Sequence, residues 1–384
     1  MLRLNIGFDA KRAYQNKTGL GNYSRSLIHS LATNYPEHQY FLYAPKITGL
    51  FAAGTYPNIH PVLPEKGLHK LFRSAWRSRF VTGDLAKHNI DIYHGLSHEI
   101  PFGIHRTGVK SLVTMHDLIF ERYPEQYNPI DVYTYRKKAK YACDKADRII
   151  AISIQTKEDI VYYYKTPPEK ISVAYQSCDP AFEIEHPREH IKAMLEKYRL
   201  PQEYFLYVGS IIERKNLLGI LKAMTMLNGA SLPLVVLGDG SGYKTRVKAY
   251  VKEQGLEQKV FFLNEMASFA YHDLPALYQG AAALIYPSLF EGFGIPILEA
   301  LWSKTPVITS QGSCFHETGG EAALYIDPLR PESIAHAMER VMEDTNLVKG
   351  MILKGLDHAQ QFTAAKTAEV VMEIYKNELR TGHR

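Results

Sequence analysis

Residues 204–227 read YFLYVGSIIERKNLLGILKAMTML, and the fold turns on how they are read. Tyr204–Val208 is an aromatic and branched run of the kind a buried strand uses. Gly209 closes it, and the apolar residues from Leu217 to Leu227 return at helical spacing. Strand, loop and helix in such quick succession is the unit from which parallel sheets covered by helices are built.

The unit recurs on both sides. Before it, LRLNIGFDA (2–10), YFLYAP (40–45), DIYHG (91–95), SLVTMHD (111–117) and RIIAIS (148–153) read as strands, each followed by a loop or helix. After it come LPLVVLGDG (232–240), KVFFLN (259–264), ALIYPS (283–288), TPVITS (305–310) and ALYIDP (323–328). The pattern therefore predicts an α/β chain with two Rossmann-like domains facing across a cleft. The charged, proline-containing DPAFEIEHPRE (179–189) marks the join, so residues 1–184 and 185–364 are the expected domains. A length of 384 residues suits two cores of ordinary size.

Composition narrows the class. Apolar residues make up 46% and charged residues 22%, as in a globular protein. Cys143, Cys178 and Cys314 are scattered and odd in number, which argues against a disulfide framework or structural zinc and for a reducing cytoplasm. The first residues enter a strand-like stretch without a signal segment, and no apolar run approaches a membrane span. The net charge of +5 is uneven: residues 1–184 carry a surplus of +7 and the remainder a deficit of −2. The first half thus faces any acidic partner, an anionic membrane surface or a phosphorylated ligand, unless the charge is only a solvated surface.

In doubly wound sheets ligands bind beyond the carboxyl ends of strands, so the loops there are the candidates. NKTGLGNYS (16–24) sets Gly19 and Gly21 before a helix, where bare backbone and helix N–H groups suit an anion. Ser24 stands where a dinucleotide fingerprint needs a third glycine, so a dehydrogenase is not favoured and a simple tight turn remains open. Arg214 and Lys215 stand at the start of a helix, where two cations oppose the dipole unless an anion offsets them. EGFGIPILE (291–299) puts Glu291 in a loop, Gly292 and Gly294 beside bare backbone, and Glu299 on the first turn of a helix opened by Pro296. A carboxylate there can hold a vicinal diol. A glycosidase with paired carboxylates is the rival reading, but it leaves the glycine loops and the cation pair without a role. His116 and Asp117 end a strand in the first half, and a histidine there is either a proton-handling group or a structural one. In residues 66–80, KGLHKLFRSAWRSRF, apolar Leu68, Leu71, Phe72, Ala75, Trp76 and Phe80 alternate with Lys66, His69, Lys70, Arg73, Arg77 and Arg79. This reads as one basic amphipathic helix, lying on a membrane surface or packed on the core.

Together these loops resemble the retaining GT-B glycosyltransferases of family GT4. The most specific element is EGFGIPILE, which is similar to that family's E-x7-E motif. TGLGNY (18–23), MHDLIFERYPE (115–125), YVGSIIERKNLLGILKAM (207–224), LVVLGDG (234–240), LPALYQGAAALIYPS (274–288) and EAALYIDP (321–328) match further family segments in the same order. The resemblance implies that Arg214 and Lys215 hold a donor diphosphate and Glu299 the ribose. It implies that Glu291, with the backbone of Phe293 and Gly294, contacts the donor sugar. Gly19 and Gly21 would let the first loop close over the phosphates, and His116 and Asp117 would stand beside the reacting carbon. The last helix, from about residue 364 or 365, would cross back to the first, acceptor-binding domain.

No DxD run accompanies the cations, so transfer without a metal or other cofactor is expected. TGLGNY and HDLIFERYPE look most like bacterial mannosyltransferases of surface-polysaccharide assembly. GDP-mannose is then the first choice of donor and a UDP-sugar the second, with a saccharide or polyprenyl-diphosphate-linked saccharide as acceptor at the inner membrane face. No nucleic acid is implied. A phosphorylase on the same fold and a non-catalytic sugar-nucleotide-binding protein are the remaining alternatives. Ser177 and Cys178, and Lys304 where a glycine is usual, depart from the family pattern.

Overall fold

The computed structural model describes residues 3–65, 67–227, 229–266 and 268–381, with the side chains of Leu68, His69 and Thr381 excepted. The chain divides into two compact units, parting between residues 177 and 178 and again between 361 and 362.

The first unit is built on a wholly parallel sheet of seven strands. These are β1 (Asn5–Asp9), β2 (Gln39–Tyr43), β3 (Ile59–Val62), β4 (Ile92–Gly95), β5 (Lys110–Met115), β6 (Arg148–Ala151) and β7 (Ile171–Val173), in the order β3-β2-β1-β4-β5-β6-β7. The two outermost strands, β3 and β7, lie outside the set that the sequence pattern predicts. Both are short, and Pro61 within β3 is a residue that only an edge strand tolerates. The strand order reverses between β1 and β4, and such a reversal opens a crevice above the carboxyl ends.

The last helix, Ala364–Thr381, belongs to this unit and packs on the Gly19–Asn34 helix. It delivers Ala368, Val371, Met372 and Tyr375 into the same apolar cluster as Ile6 and Phe8 of β1. The Tyr375 hydroxyl lies 2.6 Å from His94 Nδ1 on β4, so the helix is tied by a buried polar contact as well as by packing.

The second unit repeats the plan with six parallel strands: β8 (Phe205–Val208), β9 (Leu234–Leu237), β10 (Val260–Phe262), β11 (Ala283–Tyr286), β12 (Val307–Ser310) and β13 (Ala323–Ile326). Their order is β10-β9-β8-β11-β12-β13, with the reversal between β8 and β11. The loops that carry Arg214 with Lys215, and Glu291, leave those two central strands and are therefore neighbours. The boundary of this unit falls at residue 178 rather than 185 for a local reason. Asp179 caps the Pro180–Glu183 turn, and Phe182 is buried edge-on against Tyr278, 5.5 Å between ring centres.

Residues 66–80 do not form the continuous amphipathic helix expected of them. Phe72 leaves helical geometry at φ −108° and ψ 56°, separating a Gly67–Leu71 turn from the Arg73–Ala75 and Trp76–Phe80 turns. Trp76 is fully buried and donates to Asp84. Arg77, assigned to the polar face, points inward instead, where Asp9 at 2.9 Å and Glu99 hold it. The buried carboxylate at the end of β1 and the half-buried one in the loop after β4 outcompete water for that guanidinium. Leu71, Phe72 and Phe80 are left exposed beside Lys70, Arg73 and Arg79. Lys66 lies outside the described residues. No helix among the described residues is long and apolar enough to cross a membrane.

Candidate functional site in the second unit

The site grows from two adjacent strand ends. Beyond β8 the chain passes Gly209 at φ +143°, a value that side chains rarely adopt, and Lys215 folds its stem back across that glycine. Arg214 and Lys215 sit on a separate turn, Glu213–Lys215, rather than at the helix start itself. Asn216, left-handed at φ 54°, then opens the Leu217–Met226 helix and caps it through the Gly219 N–H. The next loop braces this one, because Gly209 N–H donates to Leu237 O and Ile211 N–H to Asp239 O.

Beyond β11 the chain runs through Ser288 to Glu291. Leu289 N–H donates to Arg214 O at 2.8 Å, stitching the two loops together. Three donors converge on Glu291 Oε1: Ser288 Oγ at 2.7 Å, Arg214 Nη1 at 2.8 Å and Lys215 Nζ at 3.1 Å. Arg214 also donates to Phe290 O, and Lys215 donates to the Tyr286 hydroxyl at 2.9 Å while lying over that ring. Burial alone would raise the Glu291 pKa, but Lys215 and Arg214, helped by Ser288, hold it down at about 2. Glu291 is thus a buried, permanently charged counter-ion, not a solvated loop residue.

Gly294, left-handed at φ +91°, precedes the Ile295–Trp302 helix, so Pro296 is its second residue and Glu299 lies in the second turn rather than the first. Phe293 is buried and its carbonyl accepts from Thr318. Glu299 is buried too, and its Oε2 accepts from the Tyr278 hydroxyl at 2.7 Å. Burial raises its pKa to about 7 against the opposing effect of the Tyr278 hydrogen bond, with Asp179 adding to the rise. Two glutamates eight positions apart are therefore held in opposite charge regimes. Just past the Ser303 cap of this helix, Lys304 takes φ +59° where a glycine would be unstrained.

In the first unit, Gly19 and Gly21 differ sharply. A Cβ on Gly19 would meet open space, whereas on Gly21 it would fall 1.9 Å from the carbonyl oxygen of Asn16. Asn16 Oδ1 meanwhile accepts from Thr18 N–H and Gly21 N–H. We expect Gly19→Ala to leave urea stability unchanged or raise it by about 0.5–1 kcal/mol, since Gly19 is helical. Gly21→Ala should lower it by about 1–3 kcal/mol, because backbone must move.

His116 is buried between Tyr23, His98 and the Leu96 carbonyl, to which its Nε2 donates at 2.9 Å. Burial, with His98 adding, lowers its pKa to about 3, so the ring is neutral across the physiological range. Asp117 Oδ1 accepts from Ile119 N–H and starts the next turn.

The structure thus gathers Arg214, Lys215, Glu291, Phe293, Gly294 and Glu299 in one unit, and Gly19, Gly21, His116 and Asp117 in the other. Ser288, Tyr286 and Tyr278, which position the two glutamates, do not stand out in the sequence. Their only signal is a place at or near a strand end or in a core helix.

Two family models match this chain: "Glycosyltransferase Family 4" over residues 17–182 and "Glycosyl transferases group 1" over residues 191–357. It is 29% identical over 290 residues to the O-antigen chain mannosyltransferase B of Escherichia coli, covering 74% of each chain. It is 31% identical over 229 residues to the O-antigen chain mannosyltransferase RfbU of Salmonella typhimurium, covering 60% of each. Among solved structures, a glycosyltransferase from Rickettsia africae superposes with a TM-score of 0.76 at 19% identity, over 99% of this chain and all of that one. Anabaena Alr3699/HepE, crystallised with UDP and glucose, gives 0.74 at 15%, over 98% of this chain and all of that one. With a glycosyltransferase model on each half and the GT-B fold of these neighbours throughout, the chain is a glycosyltransferase.

Proposed function

We propose that this glycosyltransferase moves mannose from GDP-mannose onto a saccharide or polyprenyl-diphosphate-linked saccharide in cell-surface polysaccharide synthesis. Transfer retains the anomeric configuration and needs no metal. The observation that carries the reading is the cation pair of buried Arg214 and half-buried Lys215, fixed at the strand-order reversal of the second unit. A departing nucleoside diphosphate gains negative charge, and preorganised cations with helix-start N–H groups stabilise it without reorganisation. Glu291 holds those cations in place and reaches the donor sugar together with the backbone at Phe293 and Gly294, while Glu299 takes the ribose hydroxyls. The first unit takes the acceptor. The choice of mannose and of polysaccharide is supported by the two O-antigen mannosyltransferase relatives. A UDP-sugar donor is the second reading, favoured by the UDP and glucose bound to the Anabaena neighbour.

A thermal-shift series with GDP-mannose and UDP-sugars separates the two donors, and mannosyl transfer to a lipid-linked saccharide completes the test. Lys215→Ala should cost at least about tenfold in both donor affinity and turnover, the scale of a lost charge-assisted contact. Wild-type kinetics in that variant would remove the diphosphate clamp. The enzyme works in the cytoplasm, touching an anionic membrane surface through Lys70, Leu71, Phe72, Arg73, Arg79 and Phe80. Flotation with phosphatidylglycerol vesicles should weaken severalfold in Arg79→Glu; an unchanged float would remove the membrane contact.

A further inference from the structure

The first unit carries a cavity of about 890 Å³ at the carboxyl ends of β2 and β3, a size typical of small-molecule sites. Its floor is apolar and aromatic. Phe41 lies 5.3 Å from His88 in a stack and 5.0 Å from His60, and Val62 and Leu63 continue the surface. Its rim is cationic. Lys46 follows β2, and Lys70 and Arg73 also line the cavity, with Arg73 Nη1 donating at 3.3 Å to the carbonyl of Pro45, the neighbour of Lys46.

All three cations are exposed, and among the described residues no acidic side chain pairs with any of them. Glu65, the acid lining the cavity among the described residues, is engaged by Lys87 at 3.3 Å. His60 and His88 are hydrogen-bonded to Gln39 and Tyr43, and burial lowers the His88 pKa. Leu71 and Phe72, 75% and 59% exposed, follow Lys70 in the chain and precede Arg73, adding exposed apolar surface next to these two cations.

We propose that this cavity binds the diphosphate and the first isoprene units of the lipid-linked acceptor. The assignment rests on the glycosyltransferase reading for why such a lipid arrives, but on the cavity alone for where it sits. A free phosphate would use the rim and leave the floor empty. A neutral hydrocarbon would use the floor and leave three cations without a counter-charge. An amphiphile with a phosphorylated head satisfies both, which is the complementarity that a mixed surface selects.

Calorimetric titration of the full chain with farnesyl diphosphate, inorganic diphosphate and farnesol tests it. Farnesyl diphosphate should bind at least tenfold more tightly than either of the others. Lys46→Ala, Lys70→Ala and Arg73→Ala combined should weaken it at least tenfold, and Leu63→Ser should weaken farnesyl diphosphate without changing inorganic diphosphate. Equal binding of inorganic diphosphate reduces the site to an anion patch and overturns the proposal. Equal binding of farnesol, or an unchanged triple variant, overturns it as well. So does binding of phosphatidylglycerol vesicles with no affinity for farnesyl diphosphate. Sugar-nucleotide thermal shifts, read on the same samples, report the second unit separately. Their absence in the wild-type chain would overturn the enzymatic reading, whereas their presence without farnesyl diphosphate binding overturns only the cavity.

Discussion

Replacing Glu291 by glutamine should remove about 3 kcal/mol from the stability of the second unit at pH 7. The carboxyl is held at a pKa of about 2 against an ordinary 4.5, and every tenfold change in proton affinity corresponds to about 1.4 kcal/mol. Removing one partner of a buried ion cluster costs about 3–5 kcal/mol by a separate route, because the cations left behind are desolvated and uncompensated. The two figures agree. Because the folded pKa is depressed, the wild-type contribution is complete above about pH 4.5 and fades as the pH falls through about 2. Urea unfolding of the full chain at pH 7 measures the loss. The same variant should recover most of it in saturating GDP or UDP, since a ligand at a hundred times its Kd adds about 2.7 kcal/mol. A glutamine variant as stable as the parent would show that Arg214 and Lys215 are adequately solvated. The Glu291 counter-ion would then be dispensable.

Glu299 should give the opposite pH response. Its folded pKa of about 7 is raised above the ordinary value by burial, so its contribution is complete below about pH 4.5 and lost as the pH rises through about 7. Between pH 4.5 and 8 this one group should cost the second unit about 3 kcal/mol. Glu299→Gln keeps a hydrogen-bond acceptor for Tyr278, removes the ionisation, and should be the more stable protein at pH 8. Nucleotide affinity should move the other way, because a ribose diol donates best to a charged carboxylate. Binding should tighten as the pH rises from 6 to 8 in the parent, be weaker and flat in Glu299→Gln, and be weakest in Glu299→Ala. Calorimetry across that range decides it; a pH-independent parent would separate Glu299 from the ribose.

The two predictions concern residues that are visible in the sequence, but their physical states are not. Strand and helix alternation makes the two sheets legible, since apolar runs and helical spacing are local properties. The outermost β3 and β7 lack an unbroken apolar run, since His60 and Pro61 interrupt one and Ser172 the other, and Pro61 argues against a strand unless its edge position is known. EGFGIPILE and the Arg214–Lys215 pair stand out because glycine and paired cations are locally unusual. That Glu291 neutralises those cations depends on β8 lying beside β11, a pairing between residues 205–206 and 283–284 that no local pattern carries. The same limit explains residues 66–80. Their spacing suits one amphipathic helix, but Asp9 and Glu99, distant in sequence, draw Arg77 inward.

The C-terminal helix has a further consequence, for the order in which the protein is made. The second unit is one unbroken segment and can complete its core while the chain is still being extended. The first unit, although synthesised first, lacks Ala368, Val371, Met372 and Tyr375 until the Ala364–Thr381 helix emerges. Its β1 surface and the His94 imidazole must wait through the synthesis of about 180 intervening residues, on the order of ten to forty seconds at cellular elongation rates. The first unit is therefore the later of the two to complete its core, although its residues are the first to be made.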